Sequence, residues 1–186
     1  MRFWGLKAMK QLNLISFFNH KMLSNDNIIF EYPDENWGIC GNFFKIESFC
    51  ACMGIKNINQ TASGYDNTIC ESQNIPIGES LSSIEFIGFS EWGSFEETVF
   101  LKSKNRKKEL KLFFYEWHTN PHFVFEKEIN NNNCKIKCVL ETNKGEKVYI
   151  YRTLIKIKEN ALWEHLILPN NPAMHIFAIN IDRKKI

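Results

Sequence analysis

Short segments in which apolar and polar side chains alternate every second residue dominate this chain of 186 residues. Successive side chains of a β-strand point to opposite faces, so this period of two gathers the apolar set on one face. The segments are also rich in Ile, Val, Phe, Tyr and Thr, which favour strands. The segments with this pattern are 12–18, 28–32, 43–49, 67–70, 82–89, 96–101, 109–117, 134–140, 148–158 and 175–181.

Turn-forming residues separate these segments, as in Ser63-Gly64, Trp92-Gly93 and Lys104-Asn105. No stretch of helical period exceeds about ten residues, and only residues 1–11 could form a short helical or irregular lead-in. Neither a linker, nor a repeat, nor a shift in composition divides the chain. The pattern therefore predicts one all-β domain over residues 1–186, with little helix.

Charge and hydropathy exclude several classes of partner. The formal net charge is only +2, which removes a broad electrostatic case for nucleic acid or for a polybasic membrane anchor. No apolar run approaches the length of about 18 residues that a membrane span needs. Lys7 and Lys10 interrupt the apolar stretch near the start, so no secretory signal is recognised. We expect no nucleic-acid or membrane partner and, by default, a cytoplasmic location.

Six cysteines raise the question of a disulfide framework or a metal site. Cys134 and Cys138 lie in an alternating segment whose intervening positions are Lys, which places both thiols on the inner face of a strand. Cys50 and Cys52 are too close together for a zinc knuckle. We predict buried free thiols, with a disulfide as the alternative and no metal site.

The usual enzyme signatures are missing from the sequence. It contains no G-x-S-x-G, no H-E-x-x-H and no G-x-x-x-x-G-K-[ST] motif. His118 and His122 have the spacing of metal ligands on a helix, but Pro121 between them opposes a helix. We therefore predict no catalytic residues, no metal ligands and no cofactor.

Motifs spread along most of the chain resemble one known family. Residues 67–77 (NTICESQNIPI), residues 84–117 and residues 167–181 (ILPNNPAMHIFAINI) follow one another as three segments do in the galactose-binding-like β-sandwich modules of bacterial glycoside hydrolases. Residues 12–21 are similar to the first strand of those modules. The resemblance implies a single jelly-roll β-sandwich that serves as a non-catalytic carbohydrate-binding or accessory module.

Two motifs of the resemblance depart from the family pattern. The family's charged turn usually carries Asp-Gly, whereas this chain has Lys104-Asn105-Arg106. The family's Asp-Trp is Glu116-Trp117 here, and the segment between Tyr32 and Ile55 matches poorly. The resemblance therefore implies the scaffold more directly than it implies a ligand.

Sugar binding needs exposed aromatic faces and a few fixed polar groups, and predicted loops hold both. Trp37 is one such loop aromatic, and the candidate ligand face comprises Tyr65, Trp92, Trp117, His118, Asn120 and His122. The alternative is that Trp92 and Trp117 cover the end of the fold, as large aromatics usually do. His175, in the last predicted strand, is expected as a half-buried, hydrogen-bonded imidazole.

The alternative function is a protein–protein interaction or self-assembly module without a sugar ligand. A protein that is not exported meets little glycan, and unpaired edge strands with exposed Phe residues would then form the contact. The sequence therefore leaves either a glycan, or a protein partner, or a second copy of the chain as the binding partner.

Overall fold

β-Strands form most of the protein in a computed structural model that describes residues 9–24, 44–56, 61–62, 64–118, 133–142 and 145–184. Within these ranges there is one α-helix, α1 (Ile46–Met53), and a short 3-10 helix (Ile15–Phe17). The strands are β1 (Lys10–Gln11), β2 (Leu23–Ser24), β3 (Phe44–Lys45), β4 (Thr68–Glu71), β5 (Asn74–Ser90), β6 (Phe95–Ser103), β7 (Arg106–Phe114), β8 (Cys134–Glu141), β9 (Lys147–Lys156), β10 (Leu162–Ile167) and β11 (Asn170–Arg183). The prediction of an all-β fold is confirmed.

The long strand β5 joins two parts of the main sheet. Its first half pairs with β10, and its second half pairs with β11 on one side and with β9 on the other. Pro76 lies in the first half, where β10 is the only neighbouring strand among the described residues. A proline is tolerated there because its missing N–H can face away from the ladder.

The main sheet is antiparallel throughout its ladders, in the order β1-β11-β5-β10-β6-β7. Strand β4 also pairs with β11, while β9 pairs with β5 and carries β8 on its other side. A separate pair, β2 and β3, is parallel. Neighbouring strands of this kind need only short connections, which fits the closely spaced segments of the sequence.

The end of β7 folds back over β5 and β9, which closes the core. The Phe114 ring packs against Gly88, where an added Cβ would lie 3.2 Å from Phe114 Cε2 and 1.9 Å from the His175 carbonyl oxygen. Thr153 Oγ1 on β9 donates a hydrogen bond of 2.5 Å to the Phe113 carbonyl. Position 88 therefore requires glycine, because any side chain would push these strands apart.

Most predicted strands are present, and two early predictions are wrong. Residues 43–49 were expected as a strand, but only Phe44–Lys45 is extended before α1 begins. Gly54 ends α1 in the left-handed conformation, with φ of 69°, which glycine adopts without strain. Residues 12–18 contain the 3-10 helix rather than a strand. Of the predicted lead-in, Lys10–Gln11 form β1, while residues 1–8 and 28–32 lie outside the described residues.

The cysteine prediction needs one correction. Cys52 and Cys138 form a disulfide that ties α1 to β8, with Cα atoms 5.7 Å apart. Cys50, Cys70 and Cys134 are buried free thiols as predicted, and burial raises the pKa of the Cys134 thiol to about 11. The disulfide could not be found from spacing, because 86 positions separate its cysteines and a helix replaces the predicted strand.

Candidate functional site

Two chain segments run side by side where β5 and β7 end. Ser90 N–H donates to the Tyr115 carbonyl at 3.1 Å, and Trp117 N–H donates to the Ser90 carbonyl at 3.0 Å. The turn after β5 is tied to the same segment because Glu116 N–H donates to Ser94 Oγ at 3.1 Å. These backbone contacts hold the residues that follow both strands in one rigid unit.

Trp92 is exposed at the top of this turn in an unusual backbone conformation. Its side chain is 59% exposed, and its φ is 57°, in the left-handed region. A bulky residue other than glycine rarely adopts that conformation, which costs on the order of 1–3 kcal/mol. An exposed indole held under such strain calls for a functional explanation.

His118 lies between two carboxylates at the same end of the fold. Its Nδ1 is 3.4 Å from Glu116 Oε1 and its Nε2 is 3.6 Å from Glu146 Oε2. Glu146 comes from the turn before β9, so three chain segments meet here. The exposed imidazole and Glu146 carboxylate, together with the half-buried Glu116 carboxylate, offer both donors and acceptors of hydrogen bonds. We call Trp92, Glu116, His118 and Glu146 the strand-end site.

Trp117, which the sequence placed on the ligand face, is buried beneath this site. It is 5% exposed, and its ring stacks on Phe89 with centroids 5.8 Å apart. The His118 ring packs against it, with centroids 4.0 Å apart. Trp117 therefore supports His118 from the core, because both of its neighbours cover the faces that a ligand would need.

The other predicted site residues are not brought to the strand-end site. Tyr65 is 41% exposed but precedes β4, which β11 separates from β5. Two strand spacings amount to roughly 10 Å, so Tyr65 belongs to another part of the surface. Trp37, Asn120 and His122 lie outside the described residues.

A second histidine–carboxylate group is buried and includes Glu91, the residue before Trp92. His175 Nε2 is 3.6 Å from Glu91 Oε2, and both side chains are almost fully buried. His175 Nδ1 contacts Asn67 Oδ1 at 3.1 Å, and Asn67 Nδ2 donates to Asp66 Oδ1 at 2.9 Å. We call Glu91, His175, Asn67, Asp66 and His20 the buried polar chain. The prediction for His175 was right about its hydrogen bond and wrong about its burial, which is complete.

Hydrogen bonding determines where the protons of the buried polar chain lie. The Asp66 carboxylate accepts the backbone N–H groups of Met22 and Leu23, so it also fixes Asn67 with its NH₂ group toward Asp66. The Asn67 carbonyl oxygen must then accept the proton of His175 Nδ1. The contact between His175 Nε2 and Glu91 Oε2, at 3.6 Å, is longer than a hydrogen bond.

His20 completes the buried polar chain as a neutral imidazole. Its ring lies 4.9 Å from that of His175, and its Nδ1 is 3.2 Å from Asn67 Nδ2. Burial lowers the pKa of His20 to about 3, with a further lowering from His175 and a smaller opposing effect from Asn67. Nδ1 accepts the Asn67 proton, because an uncharged imidazole offers one acceptor nitrogen.

Comparison with known proteins adds no relative. No protein-family model matches the chain, and a search of the curated proteins finds no match. Among the described residues, no group of three or more His, Cys, Asp and Glu side chains is arranged to hold a metal ion. Within the same residues, no helix combines the length and hydrophobicity needed to cross a membrane.

Sequence reasoning found Trp92 and His118 but missed most of their partners. Glu116 was read as part of a strand-ending motif, and Glu146 was not considered because it lies 28 positions beyond His118. Glu91 carried no signal beyond its place next to Trp92. The buried contacts of Asp66 and Glu91 depend on strands that are distant in the sequence.

Proposed function

We propose that the protein is a non-catalytic carbohydrate-binding or accessory module with a jelly-roll β-sandwich fold of the galactose-binding-like kind. The strand-end site is the proposed ligand face. The observation that carries the proposal is Trp92, an exposed indole in a strained backbone conformation. Its turn is joined through Ser94 to Glu116, one of the two carboxylates that flank the His118 imidazole.

The chemistry of the strand-end site suits a sugar ring. An indole face covers the apolar face of a pyranose, while His118 donates to ring hydroxyls and the two carboxylates accept from them. Glu116 and Glu146 also orient the imidazole, so the polar groups are arranged before a ligand arrives. Such preorganisation lowers the entropy cost of binding.

The strand pairing and packing also support the proposed β-sandwich scaffold. Two antiparallel parts share β5, and β7 packs back over β5 and β9, as two-layer β-proteins require. Gly88, where an added Cβ would meet the His175 carbonyl and the Phe114 ring, lies in residues 84–117, one of the segments that carry the family resemblance.

The disulfide supports a setting in which glycans are present. Disulfides persist in oxidising compartments and are rare in reducing ones. A protein that carries Cys52–Cys138 is thus more compatible with the cell exterior than with the cytoplasm expected by default.

The proposal is tested by glycan binding of two single variants. We expect Trp92→Ala and His118→Ala each to weaken the Kd for a glycan found on an array at least about tenfold, or about 1.4 kcal/mol. Tyr65→Ala is the matched control, since Tyr65 is an aromatic residue that is 41% exposed on another part of the surface. Isothermal titration calorimetry gives the Kd, and circular dichroism checks the fold.

A specific result would remove the proposal. Absence of glycan binding by the wild-type protein, or an equal loss of binding in Tyr65→Ala, would leave the strand-end site without a sugar ligand. Trp117→Ala is not a useful test, because its buried ring supports the core and its loss destabilises the fold.

A protein–protein or self-assembly role is the second candidate, and one observation favours it. Val139 is 49% exposed on β8, which has β9 as its only strand neighbour within the described residues. An apolar side chain on such an edge suits pairing with another strand. Sedimentation velocity over a range of concentrations separates the two candidates, since a monomer at all concentrations leaves this one without support.

A further inference from the structure

Positive charge is concentrated around the turn between β6 and β7. Residues 102–111 hold six Lys and Arg side chains and a single Glu, a net charge of +5, whereas the whole chain carries +2. The rest of the chain is therefore net acidic. We call residues 102–111 the basic hairpin. A local excess of one sign attracts the opposite charge, so this surface favours an anionic partner.

The basic hairpin places like charges directly opposite each other. Lys102 of β6 pairs in register with Lys107 of β7, and His165 of β10 lies on the other side of Lys102. Such pairs destabilise a sheet. Lys107 Nζ lies 3.6 Å from the centroid of the Phe100 ring, and in the described part of the chain neither lysine forms an ion pair. A bound anion would relieve this repulsion.

Two clefts flank the tip of the basic hairpin and share Asn105 and Arg106 as lining residues. One has a volume of about 370 Å³ and lies between the tip and the start of β10, where Lys104 and Glu164 line it. The other, of about 560 Å³, extends toward Glu159. Both clefts are open to solvent.

The lining of the clefts favours one class of polyanion. Glu159 and Glu164 stand among the cations, so the lining offers acceptors for hydroxyl groups as well as cations for anionic groups. The aromatic ring of these clefts, Trp163, is 2% exposed and offers no face on which a base could stack. An acidic polysaccharide alternates carboxylates or sulfates with hydroxyls, which suits alternating cations and carboxylates.

We propose that the basic hairpin binds an acidic polysaccharide. Its carboxylates or sulfates contact Lys104 and Arg106, and its hydroxyls donate to Glu164 and Glu159. Strand β6, nine residues long, separates this site from the strand-end site by roughly 30 Å. The proposal therefore stands independently of sugar binding at Trp92.

Protection of a sheet edge is the competing explanation for these cations. Strand β7 stands at the end of the strand order, and lysines on edge strands discourage pairing with other chains. That role accounts for Lys107 and Lys111 within β7. It does not account for Lys104, because this residue lies in the turn and not in a strand edge with which another chain could pair.

Charge reversal at the tip tests the proposal. The variant is Lys104→Glu/Arg106→Glu, and the control is Lys135→Glu/Lys137→Glu, which makes the same charge change at exposed positions of β8. The probes are polygalacturonate, heparin, neutral dextran and a single-stranded DNA oligonucleotide. Kd values are measured by calorimetry at two salt concentrations.

We expect wild-type protein to bind polygalacturonate or heparin, and the tip variant to weaken the Kd at least about tenfold with a shallower salt dependence. For the β8 control and for Trp92→Ala, we expect a Kd within about threefold of the wild-type value. Equal loss in the β8 control, tighter binding of the oligonucleotide through the same residues, equal binding of dextran, or no binding of either acidic polymer would each overturn the proposal.

Discussion

Two histidine–carboxylate groups in the described part of the chain differ chiefly in burial. In the buried polar chain, His175 lies 3.6 Å from Glu91, and both are hidden from solvent. In the strand-end site, His118 lies 3.6 Å from Glu146, and both are largely exposed. The same chemical pair thus occurs twice, at the same distance, in two environments.

The difference shows that burial determines whether such a group stabilises the fold or is available to bind a ligand. A buried carboxylate or imidazole must keep its partner, because nothing else replaces the lost hydration. An exposed pair gains little stability, since water competes for each partner. The buried group therefore stabilises the fold, and the exposed group is free to exchange water for a ligand.

Removal of one carboxylate from each group is expected to have the largest and most unequal effect. Glu91→Ala leaves the buried His175 without its partner and should lower the free energy of unfolding by about 3 kcal/mol. Glu146→Ala, the same substitution at the exposed pair, should change it by less than about 0.5 kcal/mol. Urea denaturation monitored by tryptophan fluorescence measures both, and equal losses would contradict the comparison.

Acid should destabilise the protein through His20 of the buried polar chain. The pKa of His20 falls from 6.5 to about 3 on folding, so between these values the unfolded chain binds a proton that the folded protein does not. Stability is therefore complete above about pH 6.5 and is lost as the pH falls. From pH 7 to pH 5 the loss from this group is about 2 kcal/mol.

Two matched substitutions identify the source of this pH dependence. His20→Gln should flatten the fall in the free energy of unfolding between pH 7 and pH 5, while His118→Gln should keep it. Denaturation with urea at several pH values provides the slopes. An unchanged slope in His20→Gln would assign the acid sensitivity to other groups.

Relief of the backbone strain at Trp92 should have the smallest effect on the free energy of unfolding, and it should raise that free energy rather than lower it. Trp92→Gly and Trp92→Ala both remove the indole, but only glycine adopts a φ of 57° without cost. Trp92→Gly should therefore be more stable than Trp92→Ala by up to about 1 kcal/mol. Thermal denaturation compares the two variants, and a higher Tm for Trp92→Ala would show that position 92 is not strained.

The alternating segments predicted most strands of the second half because the signal is local. In the predicted segment 109–117, Leu110, Leu112 and Phe114 of β7 are buried, and the positions between them are less buried. The first half of β5 and the whole of β10 were missed. Pro76 and Gly78 resemble turn residues, and β10 is interrupted by a bulge between Trp163 and His165.

The candidate site was predicted only in part for a different reason. Trp92 and Trp117 follow strands in similar fashion, yet one is exposed and the other buried. The outcome depends on Phe89 and Phe44, which pack on Trp117 from other strands. Neither neighbour can be assigned from the residues around position 117.

The sequence by itself determined that the chain is rich in strands and which residues have the chemistry of a site. Strand alternation and residue type are local properties, so they can be read position by position. Only the tertiary structure decided that Cys52 meets Cys138, that His175 is buried with Glu91, and that His118 stays exposed beside Glu146. Burial and partners arise from strands that are far apart in the chain and meet only after folding.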